Sequence, residues 1–216
     1  MPYQKILLNI FFLLPAWVLR IFVWKKDVYI RGQVLDFKSS ILIALTPSSL
    51  LAKVEFVDDL RIAINDARIA MPVSAKPVVE VKTLDHELLS EDSSILLREY
   101  IPKVLTTEKV VLYFHGGGYV IGDVMTHDRW VSNMANILEA KVYSLNYRLA
   151  PENKFPKAID DVCLTLEWLN NLGHKNSNIS LCGDSAGAHL AAATSNHLAM
   201  SNKSMPSSQC LIYPMT

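Results

Sequence analysis

A doubly wound α/β domain is the fold this sequence predicts, and three observations point to it. Strand-like runs recur at Val78–Val81, Ile95–Tyr100, Val110–Phe114, Lys141–Asn146, Ile179–Cys182 and Cys210–Tyr213. Helical patterns separate the later ones, and strands alternating with helices build βαβ units, hence a mostly parallel central sheet flanked by helices. The composition agrees. Of 216 residues 50% are apolar and 19% charged, against a usual charged share of about 25%, so a full core is expected and intrinsic disorder is excluded.

The first 25 residues are the most apolar. From Ile6 to Trp24, 16 of 19 residues are apolar, interrupted by Asn9, Pro15 and Arg20 and flanked by Lys5, Lys25 and Lys26. A bilayer span takes about 20 such residues. Arg20 would cost about 2.5–3.5 kcal/mol near a bilayer centre, and Pro15 would kink the helix. Residues 6–24 are therefore read either as a membrane-associated segment or as a hydrophobic helix covering the body of the protein. A cleavable signal peptide is disfavoured, because no small-x-small site follows the run before Lys25. The expected location is cytoplasmic or membrane-associated.

Between residues 27 and 76, Ile41–Leu51 is apolar with a break at Thr46-Pro47-Ser48-Ser49, and Val57–Ala70 reads as a helix with Leu60, Ile64, Ala67 and Ala70 on one face. No chemistry-bearing pattern stands out here. Further on, Thr126 is the predicted cap of a helix with Trp130, Met134, Ile137 and Leu138 facing inward, and Ile159, Val162, Leu166 and Leu169 mark the next helix. The 21 basic and 21 acidic residues cancel, which argues against a nucleic-acid partner. Cys163, Cys182 and Cys210 are odd in number and sit in apolar surroundings, which disfavours a secreted disulfide scaffold and points to a reducing compartment.

Two motifs carry chemistry. Gly183-Asp184-Ser185-Ala186-Gly187 follows one strand and opens a helical stretch, the context in which G-x-S-x-G exposes a nucleophile on a sharp turn. Glycines two residues either side let strand and helix approach without Cβ clashes, and the Ala186 amide points from the helix start toward an anion forming beside Ser185. The plainer alternative is an ordinary glycine-containing strand-helix turn. His115-Gly116-Gly117-Gly118-Tyr119 directly follows Val110–Phe114, where further oxyanion donors belong. Each well-aimed donor is worth roughly 3–4 kcal/mol in a transition state. The alternatives are a flexible loop or a phosphate cradle. A Walker loop is excluded because no Gly-Lys-Ser/Thr follows, and G-x-G-x-x-G fails at Ile121. His115 reads as a residue that fixes the loop rather than as a base.

Together with Tyr147-Arg148-Leu149-Ala150-Pro151-Glu152, Phe155-Pro156 and Asp160-Asp161, these motifs resemble the hormone-sensitive lipase family of α/β-hydrolases, which includes carboxylesterases and arylacetamide deacetylase-like enzymes. The resemblance covers roughly Val57 to Thr216. It implies an α/β-hydrolase core at 77–216 and an N-terminal hydrophobic helix and cap-like region at 1–76. It further implies Ser185 as nucleophile, with Gly117, Gly118 and Ala186 as oxyanion donors and His115, Gly116 and Asp184 in support. The substrate is expected to be a small-molecule ester or related amide, with no metal or organic cofactor. Arg148 and Glu152 are expected to form an ion pair supporting the loops. Ala188-His189 stands where the family usually has Gly-Asn, a variant similar to the kynurenine formamidase branch. The oligomeric state stays open.

A serine needs a histidine to take its proton and a carboxylate to orient that histidine. In α/β-hydrolases both follow the nucleophile, yet the 31 residues after Ser185 contain no Asp or Glu, and their only histidines are His189 and His197. The expectation is a chain truncated at its C-terminus or split, or a non-catalytic binder that retains the pocket. A fragment is the simplest of these.

Overall fold

A computed structural model describes residues 13–23, 27–30, 32–45, 57–70, 81–90 and 93–215. The chain divides into two units, residues 1–60 with 70–75 and residues 61–69 with 76–216. In the first unit Pro15 precedes helix α1 (Ala16–Phe22), as its fixed φ and missing N–H favour. A two-stranded antiparallel pair, β1 (Tyr29–Ile30) and β2 (Gln33–Val34), turns at Gly32 with φ +80°. Helix α2 (Phe37–Leu45) is entered through Asp36, whose carboxylate accepts from the Ser39 amide at 2.9 Å. Leu19, Phe37 and Ile41 form a small core, and the Arg20 guanidinium lies 4.5 Å over the Phe37 ring while pairing with Asp27 at 2.6 Å. Residues 6–12 and 24 of the apolar run, and residues 46–51 of the next, lie outside the described residues. No helix of the described residues is long and apolar enough to cross a membrane.

Helix α3 (Val57–Ala70) forms over the range its periodicity predicts, with Asp58 and Asp59 in the first turn and Arg68 in the last, matching the helix dipole. Residues 61–69, grouped by sequence with the N-terminal region, belong instead with the α/β unit.

That unit is built on a six-stranded sheet of β3 (Lys82–Leu89), β4 (Ser94–Ile101), β5 (Val110–Phe114), β6 (Lys141–Leu145), β7 (Ile179–Asp184) and β8 (Ser208–Ile212), in the order β3-β4-β6-β5-β7-β8. The pairs β6/β5, β5/β7 and β7/β8 are parallel, whereas β4 runs antiparallel to both β3 and β6. Three helices complete it: α4 (Val124–Leu138), α5 (Lys157–Asn171) and α6 (Ala186–Met200). On one face α5 and α6 bury Ile159, Val162, Leu166, Leu169 and Leu190 against Leu97, Leu112, Phe114, Leu145 and Leu181. On the other, α4 places Val131 and Ala135 against Tyr100, Tyr113, Val142 and Cys182. All three cysteines are free thiols.

Three expectations need correction. Strand β3 was not predicted, because it is an edge strand exposed on both sides over most of its length and shows no alternation. Of the predicted strand Val78–Val81, residues 78–80 lie outside the described residues, and Val81 precedes β3 without joining it. Helix α4 is capped by Asp123 rather than Thr126. The Asp123 carboxylate accepts from the Thr126 amide at 2.7 Å, and the Asp123 amide donates back to the Thr126 hydroxyl at 3.0 Å, a capping box. Finally, the inward face of α4 is Val124, Val131, Ser132 and Ala135, whereas Trp130, Ile137 and Leu138 are exposed and Met134 is only half-buried. Small residues let the helix approach a sheet face already filled by tyrosines, and the bulky stripe is turned aside to line an apolar groove with Val111, Cys182, Cys210 and Ile212.

Candidate functional site

Because β5 and β7 are adjacent and parallel, with Phe114 opposite Gly183, the loops leaving their C-terminal ends are neighbours, the usual place for a site in an open α/β sheet. The strand-to-helix turn after β7 puts Ser185 at φ 52°, ψ −115°, a conformation costing about 1–3 kcal/mol in a non-glycine residue and held only where surroundings over-determine it. Here they do. The Ser185 amide donates to Ile212 O at 2.9 Å, and its carbonyl accepts from the amides of His189 at 3.0 Å and Met215 at 3.4 Å. A Cβ on Gly187 would collide with the Phe114 backbone, and one on Gly183 with the Gly187 backbone, so the spacing of the two glycines is steric necessity.

The loop after β5 is fastened to this turn through Asp184. Its buried carboxylate accepts from Tyr113 OH at 2.6 Å and from the Gly116 amide at 2.8 Å, with His127 Nε2 and Tyr213 OH each at 3.5 Å. Burial opposes its charge, but the hydrogen bonds from His127, Tyr113 and Gly116 outweigh it and hold the carboxyl down at about 2. His115 is fully buried, stacked on Tyr147 at 4.4 Å, and its Nδ1 donates to Gly116 O at 3.1 Å. Burial lowers its pKa to about 4, so it is neutral at pH 7, and its Nε2 has no partner among the described residues. The Tyr147 hydroxyl donates to His115 O at 2.7 Å. Gly117 and Gly118 then turn at φ +142° and +62°, and the Gly117 carbonyl accepts from the amides of Val120 and Ile121. No acceptor for the amides of Gly117, Gly118 or Ala186 is found among the described residues.

The supporting ion pairs differ from expectation. Arg148 pairs not with Glu152 but with the fully buried Asp161, which accepts from its Nε at 2.8 Å, its Nη2 at 2.5 Å and its amide at 2.8 Å. Glu152 pairs instead with Arg61 of α3 at 2.6 Å. Arg61 also donates to Val120 O and Ala150 O, and Asn65 accepts from the Gly122 amide at 3.1 Å. Both residues brace the glycine loop from a helix that, read as sequence, carried no chemistry. Polar residues at i and i+4 on an otherwise amphipathic helix were the only available signal.

The six histidines at positions 86, 115, 127, 174, 189 and 197 are all described, and none hydrogen-bonds Ser185 Oγ. His86 is bound to Glu99 and His189 to Tyr119. Among the described residues no group of three metal-binding side chains occurs.

Residues 111–216 match the family model for the alpha/beta hydrolase fold. An arylesterase of Saccharolobus solfataricus is 33% identical over 192 residues, covering 87% of this chain and 56% of the relative. Among solved structures, an esterase of Pyrobaculum calidifontis superimposes with a TM-score of 0.71 at 32% identity, covering 83% of this chain and 58% of the other. An esterase from the bacterial hormone-sensitive lipase family gives 0.64 at 30%, covering 77% and 51%. The chain thus spans little more than half the length of these relatives. With the strained Ser185 turn, the glycine loop and the Asp184 fastening in place, the chain has the α/β-hydrolase fold and is similar to esterases that include one of the bacterial hormone-sensitive lipase family.

Proposed function

We propose that this chain is a carboxylic ester hydrolase scaffold in which Ser185 is the nucleophile and the amides of Gly117, Gly118 and Ala186 receive the oxyanion, with His115, Gly116 and Asp184 holding the loop. The observation that carries this reading is the strained Ser185 turn fastened to the glycine loop through Asp184. Ser185 Oγ attacks the ester carbonyl carbon as its proton passes to solvent water, the carbonyl oxygen becomes an oxyanion facing the free amides, and the alkoxide takes a proton from water and leaves as the alcohol, giving an acyl-enzyme. Water then attacks the acyl carbon, releasing the acid and restoring the hydroxyl. His115, neutral and committed to Gly116 O, takes no proton from Ser185.

That no histidine among the described residues bonds Ser185 Oγ favours a second reading, a ligand-binding protein on the same fold. Loss of triad members slows turnover by roughly 10⁴ to 10⁶, so slow but serine-specific chemistry is the expected result. Incubation with a fluorophosphonate probe separates the two. Labelling of the folded chain that disappears in Ser185→Ala supports the hydrolase, whereas a folded chain that stays unlabelled assigns the binder.

A further inference from the structure

Tyr119 and His189 join the two halves of the site. Tyr119 follows Gly118 directly, in the left-handed region at φ 64°, with its carbonyl accepting from the Ala150 amide at 2.8 Å. His189 lies four residues after Ser185, about one helical turn or 5.4 Å along α6. The Tyr119 hydroxyl and His189 Nδ1 are hydrogen-bonded at 2.7 Å, with the rings edge-on at 5.9 Å. A hydrogen bond of this kind closes a strap from the glycine loop to the nucleophile helix.

The same pair forms one wall of a cavity of about 260 Å³, whose other walls include Phe155, Pro156, Ile159, Leu190 and Ala193. Its polar neighbours are already engaged: Arg148 with Asp161, and Asn153 Nδ2 with Leu149 O at 3.3 Å. What remains is an apolar surface with no free charge. A cavity of about 150 Å³ lined by aliphatic residues takes benzene, and pockets for drug-sized ligands start near 300 Å³. The space therefore suits one six-membered ring with a short substituent and is too small for a long acyl chain folded inside it.

We propose that Tyr119 and His189 are specificity-determining residues, forming the wall of a side pocket about one turn of α6 beyond Ser185 that accepts an uncharged single-ring aryl group of the substrate. This rests on the hydrolase reading for the word substrate, though not for the pocket. The probe is 4-(3-trifluoromethyl-diazirin-3-yl)benzyl alcohol, a neutral single-ring ligand that crosslinks on illumination and carries fluorine for NMR. Titration of the full chain should show saturable binding, unchanged in Ser185→Ala and weakened at least tenfold in Ala193→Phe, which fills the cavity. Tyr119→Phe, which removes only the hydroxyl, should loosen the wall and raise affinity for a naphthyl analogue relative to the phenyl probe. Photolabelling of the unmutated chain provides a readout independent of variant folding. Crosslinks should fall within residues 155–159 or 189–193. No saturable binding, or crosslinks confined elsewhere, overturns the pocket. Aryl capture at these peptides without fluorophosphonate labelling of Ser185 leaves the pocket standing and removes the hydrolase.

Discussion

On one face of the sheet α5 and α6 enclose eighteen buried apolar residues among those described, whereas on the other α4 shares six. The second face leaves Trp130 and Ile137 exposed, at 50% and 77%, beside the groove that runs to Ile212. The two faces divide the labour of the site. Packing that fixes the position of β5 and β7 comes from the thick face. The Tyr113, His127 and Asp184 contacts that fasten the glycine loop lie on the thin one. Stability and site geometry should therefore respond differently to substitutions on either side.

The sharpest test is a pair of neighbours in β7. Leu181→Ala on the thick face removes a fully buried side chain and is expected to cost about 4 kcal/mol, within the range of about 2–5 for such truncations. Cys182→Ala on the thin face should cost about 1 kcal/mol. Urea midpoints measure both, and equal losses would erase the distinction.

The next effect is one of pH. Burial depresses the His115 pKa to about 4 from the ordinary imidazole value of 6.5. Above 6.5 the imidazole is neutral whether the chain is folded or not. As pH falls from 6.5 toward 4 the unfolded chain binds the proton first, so native stability drops by about 3 kcal/mol and levels off below 4. Asp184 acts lower: its folded-state contribution, present above the ordinary carboxylate pKa, is lost only as pH falls toward about 2. Unfolding free energies of His115→Gln should lack the loss between pH 6.5 and 4 while keeping the lower one. A parallel curve for the two proteins would move the titration to another group.

The smallest effect tests the groove. Ile137→Lys should change unfolding free energy by no more than about 0.5 kcal/mol while clearly reducing binding of a hydrophobic dye such as ANS. A large destabilisation would mean that Ile137 belongs to the core after all.

The strands of the sheet interior were legible as sequence because burial on both faces forces continuous apolar runs, as in Val110–Phe114 and Ile179–Cys182. Strand β3 was not, since Lys82–Leu89 at the edge answers mainly to its pairing with β4. The bulky stripe of α4 misled for a related reason: periodicity marks an apolar face, not the partner that covers it, and here Ala135 and Ser132 win the close approach. Within the site, Ser185, the three glycines and Asp184 could be placed because backbone constraints demand particular residue types. The partners of Arg148 and Glu152 could not, because any nearby carboxylate or guanidinium satisfies a charge and only tertiary geometry chooses Asp161 and Arg61. His189 and Tyr119, seventy residues apart, left no joint signal at all.

The hydrogen bonds that join Ser185 to Ile212 and Met215 also bear on how the protein assembles. The turn carrying the serine is local in sequence, but two of the groups that hold its backbone come from the end of β8 and the residues just after it, reached only after the whole of α6. Strain of this kind relaxes unless its restraints are present together, and a loop of that length must close before they are. Ser185 should therefore acquire its strained conformation late in folding, when β8 docks, well after the core around it has condensed.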